Sequence, residues 1–155
     1  RNDKWRVTFH DSCNPSRAMG LIEEPRYVLR HVCNNFFEMP ENTIREQTFC
    51  CGGGAGLGTD ENMETRLRGG MPRGQAVRYV QEKHGVNFLA AMCAIDRATL
   101  VTVADYWAPG VGITGITENI SRIGAIRDLA QGRHLVQRDI DQARRVAVHA
   151  CQVTR

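Results

Sequence analysis

Apolar and polar positions change period several times along the chain. Residues 5–10 (WRVTFH) alternate as a short strand does, and 11–15 read as the loop that follows. Pro25 suits the first turn of a helix whose apolar residues are Tyr27, Val28, Leu29 and Val32. Residues 36–39 read as a strand ended by Pro40, and 48–49 as the close of another strand just before Cys50. Residues 52–58 are the glycine run GGGAGLG. Thr59 suits the N-cap of a helix over 60–68, with acids in its first turn and arginines in its last. Gly69 and Gly70 stop that helix. Pro72 opens another that runs to about His84, where Gly85 ends it. Residues 86–92 are strand-like, 95–104 helical, 111–116 a glycine-interrupted strand, and 118–150 helical with a weak point at Gly132. Strand and helix signals therefore alternate. This predicts an α/β fold around a mainly parallel sheet, with a helical C-terminal tail.

Composition narrows the class. The chain has 155 residues, 42% hydrophobic and 24% charged, which is globular and is the size of one domain with a real core. No apolar run approaches the roughly 20 residues needed to span a bilayer, so no direct membrane span is expected. No signal peptide is read at the start, and Arg1 in place of Met leads to the expectation of a fragment or processed product. The net charge of +3 is uneven: residues 120–155 hold seven Arg and three Asp, and the remainder is close to neutral. The division expected is a domain over 1–118 and a basic helical tail over 119–155. A basic tail can meet nucleic acid, anionic lipid or an acidic partner, or simply form a solvated helix face. No aromatic residues interleave with its arginines, so no nucleic acid is expected.

Six cysteines change the picture: Cys13, Cys33, Cys50, Cys51, Cys93 and Cys151. With an aliphatic core and nothing suggesting secretion, they point to metal or redox chemistry rather than to a disulfide scaffold. Cys13, the 50–51 pair and Cys93 each follow a strand candidate, and sites in open α/β sheets form at the carboxyl ends of strands. Adjacent thiolates reach a multi-iron cluster by pointing at different irons. A structural zinc site is usually built from C-x₂₋₄-C pairs, and no C-x-x-C occurs here. Gly52, Gly53 and Gly54 let backbone approach closely and free N–H groups to donate to sulfur. Neither G-x-G-x-x-G nor a P-loop is completed by the glycine run, which sets nucleotide binding low. Cys33 reads as a buried structural thiol, and Cys151 as a free thiol in the tail.

Cys13, then 36 residues, then Cys50-Cys51-Gly52, then 41 residues, then Cys93-Ala94-Ile95-Asp96 resembles the cysteine-rich CCG domain of heterodisulfide reductase catalytic subunits. Residues 10–17 (HDSCNPSR), 50–54 (CCGGG) and 20–27 (GLIEEPRY) look most like the DsrK-type members, which belong to a membrane complex of dissimilatory sulfur metabolism. The resemblance covers roughly residues 5–117. It implies a 4Fe–4S cluster of the noncubane kind, held by Cys13, Cys50, Cys51 and Cys93. It implies electron exchange with a disulfide or trisulfide on a small DsrC-like sulfur-carrier protein, with a cytochrome b-type membrane subunit as electron partner. The location it implies is cytoplasmic, peripheral on the inner face of the cell membrane. Asp96 stands where the family has the last cysteine. A carboxylate is a harder, weaker iron ligand than thiolate, so Asp96 either ligates by oxygen, leaves an iron open, or caps the following helix. A simpler cluster is then an alternative. His10 is a candidate proton relay or hydrogen-bond donor to cluster sulfur beside Cys13, and Arg17 a candidate counter-charge to the cluster. A docking module without catalysis and a zinc-stabilised domain stand as the alternative functions.

Overall fold

The computed structural model describes residues 2–57 and 59–121. Four strands form one all-parallel sheet in the order β2-β1-β3-β4. They are β1 (Asn2–His10), β2 (Cys33–Phe36), β3 (Phe88–Ala91) and β4 (Gly112–Gly115). Helices α1 (Glu23–Val32), α2 (Met63–Gly69), α3 (Met71–His84), α4 (Ala94–Trp107) and α5 (Ile116–Ser121) connect or follow them. The expected α/β class with a parallel sheet is what the chain adopts.

Alternation along the strands divides the core in two. Val7, Phe9 and Ala90 face Leu29 and Cys33, on the side covered by α1 and α5. Leu89 and Ala91 face Val77, Val80, Leu100 and Val103, on the side covered by α3 and α4. Leu29 and Leu89 are fully buried, and each such side chain contributes about 1.5–3 kcal/mol relative to exposure. Helix α3 begins with Pro72 in its first turn and ends at Gly85, whose φ of 65° lets its N–H close on the Gln81 carbonyl at 2.8 Å.

Three sequence expectations fail here. The second strand is Cys33–Phe36, not 36–39. Asn34 and Asn35 look like turn residues, yet Asn35 pairs with Arg6 and Phe36 with Val7 along an edge, where one side of the strand needs no apolar residues. Residues 48–49 belong to no strand: a short 3₁₀ turn, Arg45–Gln47, precedes Thr48. Thr59 does not cap a helix over 60–68; its carbonyl accepts from Asn62 N–H at 3.1 Å in a 3₁₀ turn, and α2 starts only at Met63. The helical tail expected beyond residue 121, with Cys151, lies outside the described residues. Among the described residues no helix is long and apolar enough to cross a membrane.

Candidate functional site

The strand order places β1 between β2 and β3, so the chain leaves β1 for one side of the sheet and later returns on the other. The crevice outside the carboxyl ends of β1 and β3 is therefore a topological switch point, where α/β sheets bind ligands. Asp11, Ser12 and Cys13 follow β1, and Met92 and Cys93 follow β3. The Cys93 N–H donates to the Ser12 hydroxyl at 3.3 Å, which ties the two cysteine loops together. Cys93 is the N-cap of α4, and Cys13 opens a π-helical turn, Asn14–Ala18.

Cys50 and Cys51 reach the site without a strand. Their approach is held by side chains from elsewhere. Arg17 donates through Nε to the Glu46 carbonyl at 2.8 Å and through Nη2 to the Thr48 carbonyl at 2.5 Å. The Thr48 hydroxyl donates to the Asp11 carbonyl at 2.8 Å, and Asp11 Oδ2 accepts the Arg45 N–H at 2.8 Å. Backbone groups that a strand would satisfy by a ladder are met here by long-range donors and acceptors. This is why the strand expected before Cys50 does not form. It also sets what the structure makes of Arg17, which clamps the backbone leading to Cys50.

Asp11 is the hub of this arrangement. Its carboxylate takes a bidentate pair from the fully buried Arg26, Nη1–Oδ1 at 2.6 Å and Nη2–Oδ2 at 2.8 Å. Arg26 also donates through Nε to Glu38 at 2.8 Å and through Nη1 to the Ile22 carbonyl at 2.7 Å. Burial alone would lower the Arg26 pKa; Asp11 and then Glu38 more than reverse this and raise it. Fork-to-fork geometry with every N–H engaged is the condition under which a buried ion pair holds a loop in one place.

Two of the three glycines after the cysteine pair donate to sulfur. The N–H of Gly52 donates to Cys50 Sγ at 3.3 Å, and that of Gly53 to Cys51 Sγ at 3.4 Å. Their close approaches are to protein. Gly52 has φ of 93°, and a Cβ there would overlap the Arg66 carbonyl; a Cβ at Gly53 would overlap the Thr99 methyl. At Gly54 a Cβ would meet only Cys50 Sγ, at 3.6 Å. The two thiols differ: Cys51 is buried and Cys50 exposed. Burial, with Asp96 beside it, pushes the Cys51 thiol up to about 12. Cys13 is exposed and Cys93 half-buried.

Asp96, in the first turn of α4, does not cap that helix. Its carboxylate points back under the switch point, with Oδ2 3.5 Å from His10 Nε2. Cys51 and Ser12 lie against the same carboxylate. The structure thus joins His10, Ser12, Cys51 and Asp96, four residues brought together from three separate stretches of sequence. Burial lowers the His10 pKa, so the imidazole is neutral, and Asp96 opposes this only in part. Burial also pushes Asp96 upward, but His10, Cys51 and Ser12 overcome it and hold the carboxyl below its ordinary range. His10 Nδ1 and Asp96 Oδ2 are buried without a hydrogen-bond partner among the described residues.

Sequence reasoning missed Asp11, Arg26, Thr48 and Arg73. Arg73 is fully buried on α3. It donates through Nη2 to the Thr43 carbonyl at 2.5 Å and the Thr48 hydroxyl at 2.8 Å, and through Nη1 to Met39 Sδ at 3.0 Å. An arginine on a helix reads as surface, and no signal in the sequence distinguishes this one.

The donor set fits an iron–sulfur group. Cys13 and Cys93 follow the ends of β1 and β3, the sulfurs of Cys50 and Cys51 already accept backbone N–H groups, and His10 Nδ1 and Asp96 Oδ2 are buried without a hydrogen-bond partner among the described residues. Among the described residues no three of His, Cys, Asp or Glu are placed to hold one metal ion, which a closed tetrahedral zinc site requires. The family model for the cysteine-rich domain called CCG matches residues 7–95, and the chain belongs to that family. A protein named Hdr-like menaquinol oxidoreductase iron-sulfur subunit from Archaeoglobus profundus is 55% identical over 120 residues, 77% of this chain and 22% of the relative. The similarly named iron-sulfur subunit 2 of Archaeoglobus fulgidus is 54% identical over the same share of each. A subunit of the dihydromethanophenazine:CoB–CoM heterodisulfide reductase of Methanosarcina acetivorans is 44% identical over 52 residues, 33% of this chain and 12% of that one. The chain thus spans about a fifth of the length of the two Archaeoglobus relatives. No solved structure matches it.

Proposed function

We propose that this chain is the cluster-binding module of an iron–sulfur subunit in an Hdr-like oxidoreductase complex. One observation carries the reading: Gly52 and Gly53 donate their N–H groups to the sulfurs of Cys50 and Cys51 beside the β1/β3 switch point. Donors aimed at sulfur stabilise thiolate and tune reduction potential. Cys13, Cys50, Cys51 and Cys93 are the ligands, and a 4Fe–4S cluster, noncubane in form, is the group they hold. When bound, such a group supplies one-electron transfer. Asp96 completes the set in place of a fifth thiolate. The neutral His10 behind it carries a ring N–H beside that carboxylate, the one proton the pair holds near the site.

The substrate proposed is a disulfide or trisulfide on a small DsrC-like sulfur-carrier protein, as in DsrK-type subunits. Reducing a disulfide takes two electrons and two protons and gives two thiols. A quinol supplies both electrons and protons on oxidation. We place the quinol chemistry on a separate cytochrome b-type subunit, with this module peripheral on the cytoplasmic side of the membrane.

Anaerobic reconstitution of the full chain with iron and sulfide tests the reading. The expected product is brown, carries about four irons per chain, and shows an EPR signal in one of its redox states. Serine at Cys13, Cys50, Cys51 or Cys93 should lower the iron content. A colourless chain without iron, or one holding a single zinc in preference, overturns the proposal.

A further inference from the structure

We infer that Arg73 is the buried counter-charge of the cysteine site: a positioning residue that sets its reduction potential from beneath the Cys50–Cys51 turn. The inference rests on the iron–sulfur reading above and extends it to a residue with no ligating chemistry of its own.

A guanidinium is costly to bury, and Arg73 has no exposed surface. Its hydrogen bonds go to a carbonyl, a hydroxyl and a thioether, all neutral. Its Nε has no partner among the described residues. No carboxylate among the described residues lies within ion-pair distance of it. Asp11 is taken by Arg26, and Asp96 faces His10. Arg26, buried as deeply, shows the contrast, since two carboxylates meet its fork. A buried charge without a paired charge is among the costliest features a fold retains. A positive charge in that position needs negative charge nearby: Asp11 and Asp96 supply part of it through space, and the cysteine turn lies beside it.

The geometry places it there. Arg73 bonds Thr48, and its guanidinium lies 5.9 Å from the ring centre of Phe49. Those are the two residues before Cys50. Asp11 and Asp96 act on it through space, and after them the Cys51 sulfur, which becomes negative only as a ligand thiolate. Burial lowers its pKa to about 10, which still leaves it charged at neutral pH. With several thiolates bound to iron, the site is anionic, and reduction adds one further negative charge. A fixed cation beneath the turn favours the reduced form. It does so without occupying any position a ligand or substrate needs.

The test is a redox titration of the reconstituted full chain, followed by EPR, for wild type, Arg73→Gln, Arg73→Met and Arg73→Lys. Gln keeps an amide donor for Thr43 and Thr48, and Met matches the apolar stem, so either neutral variant suffices if the other does not fold. The neutral variants should load iron as wild type does. Their reduction equilibrium should shift about tenfold toward the oxidised form, which is about 59 mV more negative for one electron. Lys should restore most of the wild-type potential. A purely structural arginine would change thermal stability and leave the potential in place. Iron-loaded neutral variants with the wild-type potential overturn this assignment alone. A wild-type chain that takes up no iron overturns both it and the reading beneath it.

Discussion

Single residues at the site carry separable burdens. Gly52 sits at positive φ with the Arg66 carbonyl where a Cβ would be. Gly52→Ala should cost about 2–4 kcal/mol, from the left-handed backbone and the overlap together. A urea unfolding curve checks this, and an unchanged midpoint rules it out. The thiols differ as sharply. Burial raises Cys33 to about 11 and, with Asp96, Cys51 to about 12, while Cys13 and Cys50 are exposed. Iodoacetamide at mildly alkaline pH should label Cys13 and Cys50 of the native apo chain first and reach Cys33 and Cys51 only on unfolding. Mass spectrometry of the peptides gives the order. The same shifts fix a pH trend. Both thiols have folded values above the ordinary thiol value of 9. Their contribution to stability is whole below pH 9 and is lost as pH rises through about 11 to 12. Urea midpoints measured across that range should therefore fall, and a rising midpoint would contradict the burial of these groups. The cysteines stand out in the sequence, and their proposed role as ligands rests on the resemblance to the CCG domain. The grouping of His10, Ser12, Cys51 and Asp96 was not readable there, because it depends on a face of β1 meeting the first turn of α4.

At the scale of elements, the segment between β2 and α2 was the least legible. Helices α1, α3 and α4 announced themselves through apolar spacing and, in the first two, through Pro or Gly at an end. The 3₁₀ turns at Glu41–Thr43 and Arg45–Gln47 did not. Their backbone is satisfied by Arg17, Asp11 and Arg73, which lie about 30 residues away, so no local pattern encodes them. Substitutions at the distant partners show how much each contributes. Arg26→Met leaves Asp11 buried and unpaired, and should cost about 3–5 kcal/mol in equilibrium unfolding. The double change Asp11→Leu with Arg26→Met should recover part of that loss; a double mutant no more stable than the single one refutes the pair as the cause. Arg17 is exposed, and only its clamp on the carbonyls of Glu46 and Thr48 is specific. Arg17→Ala should change stability by about 1 kcal/mol or less, yet loosen the turn before Cys50. Faster alkylation of Cys50 would report that loosening, and unaltered rates would deny it.

Across the whole molecule, the two apolar cores lie on opposite faces of the sheet; of the cysteines proposed as ligands only Cys51 belongs to a core, and Cys13, Cys50 and Cys93 lie outside both. Most of the stabilising burial is therefore independent of any metal. Removing iron from a loaded chain should abolish its visible absorbance and leave its far-ultraviolet circular dichroism nearly unchanged. Loss of ellipticity on chelation would instead make the metal part of the core, as in zinc fingers. The alternation of elements showed the α/β class from sequence, but the position of β1 inside the sheet was visible only in the structure. That position gives the molecule two unlike ends. Cys13 and Cys93, proposed as ligands, follow the finishing ends of β1 and β3. The opposite rim holds turns such as the one where Val111 N–H meets the Ala108 carbonyl at 3.2 Å, beside an exposed Gly110. A strand of four residues, roughly 13 Å, separates the two ends. A chemical handle built into the 108–111 turn would thus anchor the protein to a bead or an electrode with Cys13 and Cys93, at the far ends of β1 and β3, facing away from the support.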